Sequence, residues 1–291
     1  MPLVPTADLL HAAVGRRTGL AAFNVIQLET AEALVEAAER TGLPVILQIS
    51  QNCVAYHGSL EPIGAASLAL ARESTAHVAV HLDHAEDEQL ARRAVESGFG
   101  SVMFDGSTLD YEHNVAATVR VVEHAHANDV VVEAELGEIG GKDGAHAPGV
   151  RTDPEEARRF VEETGVDALA VAVGSSHAMT ERTAALDLEL IARLRHAVPV
   201  PLVLHGSSGV SDETIEQAIR AGITKVNVST HLNRFFTDAI RASLTAHPEV
   251  VDPRKYVREG RAAVAAEAAR LMTLFDVAGR GERGATQMGH R

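Results

Sequence analysis

The chain has one cysteine, Cys53, in 291 residues. An internal disulfide is therefore impossible, and a cysteine-rich metal site is excluded. Lysine is nearly as scarce. Lys142, Lys225 and Lys255 are the full set, and of these Lys225 alone falls in a strand-like run. Imine chemistry, which needs an amine at a strand end, has little to draw on. No apolar stretch approaches the ~18 residues of a membrane span, so none is expected. The opening Met1-Pro-Leu-Val-Pro-Thr6 has neither the basic start nor the apolar core of a signal peptide, and a cytoplasmic protein is the expectation. Positive charge is in deficit: the net charge of −14 argues against a nucleic-acid surface. It does not argue against phosphorylated small molecules, because a local site can be positive on an acidic protein.

What is present is a regular alternation of short β-rich runs and amphipathic helical stretches. The expected strands are 20–24, 44–49, 78–82, 101–104, 130–134, 168–173, 201–204 and 224–228, with helices such as 30–41, 86–97, 153–164 and 211–221 between them. Gly42, Gly98, Gly165 and Gly222 follow helical segments, as left-handed terminating glycines do. Eight strands in strict alternation with helices predict a parallel sheet closed into a (β/α)8 barrel. An open doubly wound sheet would bind its ligand at one switch point. Here polar residues end nearly every strand, which favours the closed form. Two further helices are expected over about 230–246 and 254–274. The reading is one barrel over residues 1–277 and a disordered Gly/Arg-rich tail over 278–291.

Of the 15 histidines, most must be ordinary. Three lie just past separate strands: His84, His177 and His205. Three neutral imidazoles converging on one point are a catalytic zinc site with one position left open. His81, three residues before His84, is a decoy inside its strand. Asp105 and Glu135 end two other strands, where they could orient metal-bound imidazoles, serve as alternate ligands, or simply cap the barrel core. Asp83 is placed to exchange a proton with a hydroxyl of metal-bound substrate; its alternative is helix capping. Gly206-Ser207-Ser208-Gly209 and Asn227-Val228-Ser229-Thr230 follow strands seven and eight, where barrels commonly hold phosphate. The glycine-rich stretch 138–149 carries Lys142, Asp143 and His146 and has the composition of a lid that brings a base to the site.

The runs Ala22-Phe-Asn-Val25, His81-Leu-Asp-His-Ala85, Ser101-Val-Met-Phe-Asp105, Glu133-Ala-Glu-Leu-Gly137, Leu204-His-Gly-Ser-Ser-Gly209, Lys225-Val-Asn-Val-Ser-Thr230 and Asp252-Pro-Arg-Lys-Tyr256 stand in an order that resembles the class II fructose-1,6-bisphosphate and tagatose-1,6-bisphosphate aldolases. The resemblance covers roughly residues 5–275. It implies Zn²⁺ on His84, His177 and His205, and Asp83 as acid/base on the C4 hydroxyl of a phosphorylated ketose. It implies that Gly206, Ser207, Ser208 and Asn227 to Thr230 bind the phosphate of the dihydroxyacetone phosphate half, with Asn24 and Ser50 near the substrate. Arg254 would serve the distal phosphate, in a neighbouring subunit of a homodimer or homotetramer. Two positions depart from the family pattern. Ala178 stands where many relatives have glycine, and Gly140-Gly-Lys-Asp-Gly144 stands where relatives often carry an acidic pair. Asp143 is the candidate for the enolising base. The implied reaction is cleavage of fructose 1,6-bisphosphate to dihydroxyacetone phosphate and glyceraldehyde 3-phosphate. The alternatives are tagatose 1,6-bisphosphate as substrate, or a barrel that binds a sugar phosphate without turning it over.

Overall fold

A computed structural model describes residues 3–136, 151–177 and 179–278. Eight parallel strands pair in sequence order and close on themselves. They are β1 (Leu20–Asn24), β2 (Val45–Ser50), β3 (Val78–Ala85), β4 (Ser101–Phe104), β5 (Val131–Leu136), β6 (Ala168–Val171), β7 (Leu202–Leu204) and β8 (Ile223–Val228). The closure is in register, with Ala21 opposite Val226 and Ala22 opposite Asn227. Helix α1 (Thr6–Arg16) precedes the barrel. The outer layer holds α2 (Leu28–Thr41), α3 (Gln51–His57), α4 (Glu61–Glu73), α5 (Glu88–Glu96), α6 (Tyr111–His126), α7 (Pro154–Thr164), α8 (Leu188–Ala197) and α9 (Asp212–Ala221). Then come α10 (Thr230–Ala246) and α11 (Pro253–Ala278). The fold is the (β/α)8 barrel that the alternation predicts.

The period of two along each strand sorts the side chains into two cores. Outward residues such as Phe23, Leu47, Val80, Val102, Leu169 and Val226 pack against the helices. Inward residues form a second, smaller cluster of Leu20, Ala22, Ile46, Ala79, Met103, Ala168 and Ala170, plugged from below by Leu9, Leu10 and Ala13 of α1. Higher up, the same inward parity turns polar. Gln48, His81 and Lys225 lie on it, then Asn24, Asp83, His205 and Asn227, all buried. Burying so many polar groups is costly unless they bond to one another, and that demand shapes the site.

Several boundaries differ from the expected ones, and the most consequential is that of β3. Strand β3 runs on to Ala85, so Asp83 and His84 belong to it rather than following it. This is possible because His84 adopts a left-handed backbone (φ 49°) and the pairing with β4 shifts register between Leu82 and Ala85. The capping alternative for Asp83 is overturned: the residue that caps α5 is Asp87, whose carboxylate accepts from Gln89 N–H. Gly42 and Gly165 end their helices in the left-handed region, whereas Gly222 (φ 140°) lies outside it.

Candidate metal centre and substrate cavity

Adjacent residues on a strand normally face opposite sides. The left-handed turn at His84 breaks that rule, so Asp83 and His84 both line one cavity at the C-terminal mouth of the barrel. Its volume is about 250 Å³. His177, in the loop after β6, and His205, just past β7, line it too. The imidazole ring centres lie 4.9 Å (His84–His177), 4.6 Å (His84–His205) and 5.7 Å (His177–His205) apart. One ligand atom from each ring and one carboxylate oxygen of Glu135 all fall within 4.8 Å of one another.

The ring nitrogens have distinct partners. Nδ1 of His84 meets Asp105 Oδ2 at 2.8 Å, and the other oxygen of Asp105 is held by Ser107 Oγ at 2.7 Å. Nε2 of His205 meets Glu133 Oε1 at 2.9 Å, and the second Glu133 oxygen accepts from Lys225 Nζ at 2.8 Å. With each carboxylate accepting an imidazole N–H, lone pairs are left on His84 Nε2 and His205 Nδ1. Those two nitrogens face each other at 2.9 Å. Two facing lone pairs repel unless they share a cation, so the donor set fits a divalent metal. Burial, followed by the charge of His84, pushes the His205 imidazole well below its ordinary pKa. It is therefore neutral near pH 7, the form in which imidazole binds metal.

Sequence reasoning missed Glu133 and the pairing role of Lys225. The signal was parity: Glu133 and Glu135 sit two apart on β5 and share its inward face. Lys225 is 1% exposed and ion-paired beneath His205, not presented to the cavity as an imine-forming amine. His81 lies inside β3, as expected. It shares the face of Asp83 but lies deeper, with Nδ1 2.7 Å from Ser101 Oγ.

Asp83 Oδ2 accepts from Asn24 Nδ2 at 3.0 Å, and Oδ1 from Asn227 Nδ2 at 3.3 Å. Asn24 is itself fixed by Gln48 Nε2 at 2.8 Å. Burial alone would raise the Asp83 carboxyl. The neighbouring His84 and His205 imidazoles, the Lys225 ammonium and the Asn24 hydrogen bond outweigh it and hold the group below its ordinary pKa. Asp83 is thus a carboxylate held in place by two amide donors.

The segments expected to hold phosphate reach the same cavity. Gly206, Ser208, Asn227, Ser229 and Thr230 line the cavity, as do Asn24 and Ser50. Gly206 has φ 64°, and a Cβ there would sit 2.6 to 2.8 Å from the Ser176 backbone, so only glycine fits. Ser207 instead turns its hydroxyl to the Asn227 carbonyl, and the Val228 side chain packs into the outer core. Arg254 stands outside the cavity wall formed by the described residues. Its side chain is 89% exposed and pairs with Asp252 at 2.8 Å. Lys142, Asp143, His146 and Ala178 lie outside the described residues, as does the expected tail beyond Ala278. Gln51, Asn52 and Glu86, which sequence reasoning passed over, complete the rim.

Comparison with known proteins agrees with this geometry. The family model for fructose-bisphosphate aldolase class-II matches residues 4–280. The crystal structure of the YdjI aldolase from Escherichia coli K12 is 33% identical, with a TM-score of 0.83, over 94% of this chain and 97% of that one. A putative fructose-1,6-bisphosphate aldolase from Coccidioides immitis is 30% identical, with a TM-score of 0.84 over the same shares. A fructose-bisphosphate aldolase from Campylobacter jejuni, 22% identical over 94% of this chain and 95% of that one, shares the fold with a TM-score of 0.76. With the family model spanning nearly its whole length, the chain belongs to the class II fructose-bisphosphate aldolase family.

Proposed function

We propose that this aldolase is zinc-dependent and reversibly cleaves a ketose 1,6-bisphosphate, fructose 1,6-bisphosphate first, to dihydroxyacetone phosphate and glyceraldehyde 3-phosphate. The observation that carries the proposal is the convergence of ligand atoms of His84, His177, His205 and Glu135, with the three histidines and Asp83 lining one cavity. His84, His177 and His205 would hold the ion. When bound, zinc supplies Lewis-acid polarisation of the ketone.

The remaining steps belong to the chain's own residues. Gly206, Ser208 and the Asn227–Thr230 segment hold the phosphate and so fix the sugar's reacting carbons. Asp83, steadied by Asn24 and Asn227, takes the proton of the C4 hydroxyl. The C3–C4 bond breaks, its electron pair passes to C3, and the aldehyde departs. An acid then delivers a proton to C3 of the enediolate, and Asp143 is assigned that role. In the synthetic direction the same groups act in reverse. The enzyme works in the cytoplasm, in glycolytic carbohydrate metabolism, as a homodimer or homotetramer.

The test is a zinc-supplemented cleavage screen over ketose mono- and bisphosphates, with dihydroxyacetone phosphate as the readout. Fructose and tagatose 1,6-bisphosphate are run side by side, since they differ at C4. Activity that survives complete chelation would overturn the metal assignment. Tight binding of a sugar phosphate with no turnover would replace the enzyme with a binding protein.

A further inference from the structure

Behind the phosphate cradle runs a chain of charged contacts that the reaction itself does not use. Thr230 lines the cavity, but the next residue, His231, points the other way, into α11. Its Nε2 lies 2.6 Å from Glu267 Oε1. Glu267 is 6% exposed and is also gripped by Arg270, through Nη2 at 2.7 Å and Nε at 2.8 Å. Arg270 Nη1 continues to Asp212 Oδ2 at 2.6 Å. Arg182 Nη2 meets Asp212 Oδ1 at 2.6 Å, while its Nε donates to the Val210 carbonyl, also at 2.6 Å.

Both ends of this chain finish on the cradle. Val210 directly follows the tight turn Ser207–Gly209, and its N–H donates to the Ser207 carbonyl at 2.9 Å. On the other side, the backbone N–H of His231 donates to Ser208 Oγ at 3.1 Å. Because Ser208 Oγ accepts there, its own hydrogen is left to donate towards the cavity. A nearly buried carboxylate held by an arginine and a histidine is weak evidence for stability, since desolvation offsets most of the attraction. What such a group does supply is a fixed geometry.

We propose that Glu267, acting through His231, is a positioning residue. It sets Ser208 and the first turn of α10 in the arrangement that accepts the substrate's phosphate. The proposal rests on the reading of the Gly206–Thr230 cradle as the phosphate site. Glu267 touches no substrate, so its loss should appear in phosphate affinity and not in metal binding.

The experiment measures inorganic phosphate binding to the zinc-loaded enzyme by calorimetry, and KM and kcat for the ketose bisphosphate. The variants are Glu267→Gln, His231→Leu and His231→Gln. Glu267→Gln and His231→Leu should each weaken phosphate binding about tenfold or more, the scale of losing a hydrogen bond to a charged group. KM should rise in parallel, with kcat changed less and zinc content unchanged. His231→Gln, whose side-chain amide can still donate to Glu267, should restore most of the affinity. Should Glu267→Gln fail to fold, the two His231 variants decide alone. Unchanged phosphate affinity in Glu267→Gln or His231→Leu would overturn the proposal, as would equal losses in His231→Leu and His231→Gln. A wild-type enzyme that binds phosphate but cleaves no ketose phosphate would refute the proposed reaction and leave this comparison intact. A wild type that binds no phosphate would overturn both the cradle and its positioning residue.

Discussion

Glu133 accepts from His205 on the side of the ring away from His84 and carries Lys225 on its other oxygen. The ion pair thereby dictates which nitrogen of His205 faces the metal site. Glu133→Gln should lower zinc affinity about 10- to 100-fold, the usual effect of losing the partner that orients a ligand. Glu133→Leu should do more, because it strands the Lys225 ammonium in the barrel, and unfolding should become easier by ~3–5 kcal/mol. Chelator competition reads the first effect and thermal or denaturant melting the second. Zinc affinity unchanged in Glu133→Gln would dismiss the orienting role.

The three histidines should behave as one unit. Alanine at His84, His177 or His205 should remove most bound metal, since two imidazoles make an incomplete site. His81→Ala, one layer deeper and bonded to Ser101, should keep its metal while losing stability. Metal analysis of the four purified variants checks this. Zinc lost from His81→Ala and kept in His84→Ala would reverse the assignment.

Asp83→Ala should bind metal near normally and lose about 10²–10⁴-fold in turnover, the range for a general acid/base. Single-turnover cleavage with matched zinc content separates this from a defect in folding. Normal turnover would leave Asp83 as part of a buried amide network and nothing more.

Proton exchange at the hydroxymethyl carbon of dihydroxyacetone phosphate isolates the step assigned to Asp143. Asp143→Ala should slow it about 10²-fold or more while zinc and ketose binding persist. Collapse in His146→Ala with Asp143→Ala unaffected would move the role to His146.

Stability should carry the mark of Glu267 at acid pH. Burial favours its neutral form, but the Arg270 and His231 hydrogen bonds and the Arg270 charge prevail and hold the carboxyl at about 2 against an ordinary 4.5. The folded state therefore binds this proton less readily than the unfolded chain. The stabilisation is complete above pH ~4.5 and disappears as pH falls towards 2. The gap in melting temperature between the wild type and Glu267→Gln should be flat from pH 7 to 5 and close below that. A gap that widens on acidification would contradict the pairing.

The fold was legible because strand, polar end, helix and glycine stop recur along the chain. The three imidazoles could be singled out because each stands at or after the end of its own strand. That the neighbours Asp83 and His84 share one cavity was harder to read. A strict period of two sends neighbours to opposite faces, and nothing in His-Leu-Asp-His announces a left-handed residue. Glu133 could have been read from its parity with Glu135, two residues on along β5. The His231–Glu267 contact was out of reach, because it joins two helices across 36 residues and depends on how they pack.

Helix α11 holds Glu267 partway along its length and ends against the foot of the barrel, where the Phe275 carbonyl accepts from Gly19 N–H. At 26 residues it is about 39 Å long, a strut that joins the two contacts. Its lower end is fastened beside the first strand and its middle braces the phosphate loop. A substitution that loosens the Gly19–Phe275 anchor would therefore be passed along one continuous helix to the Glu267 contact.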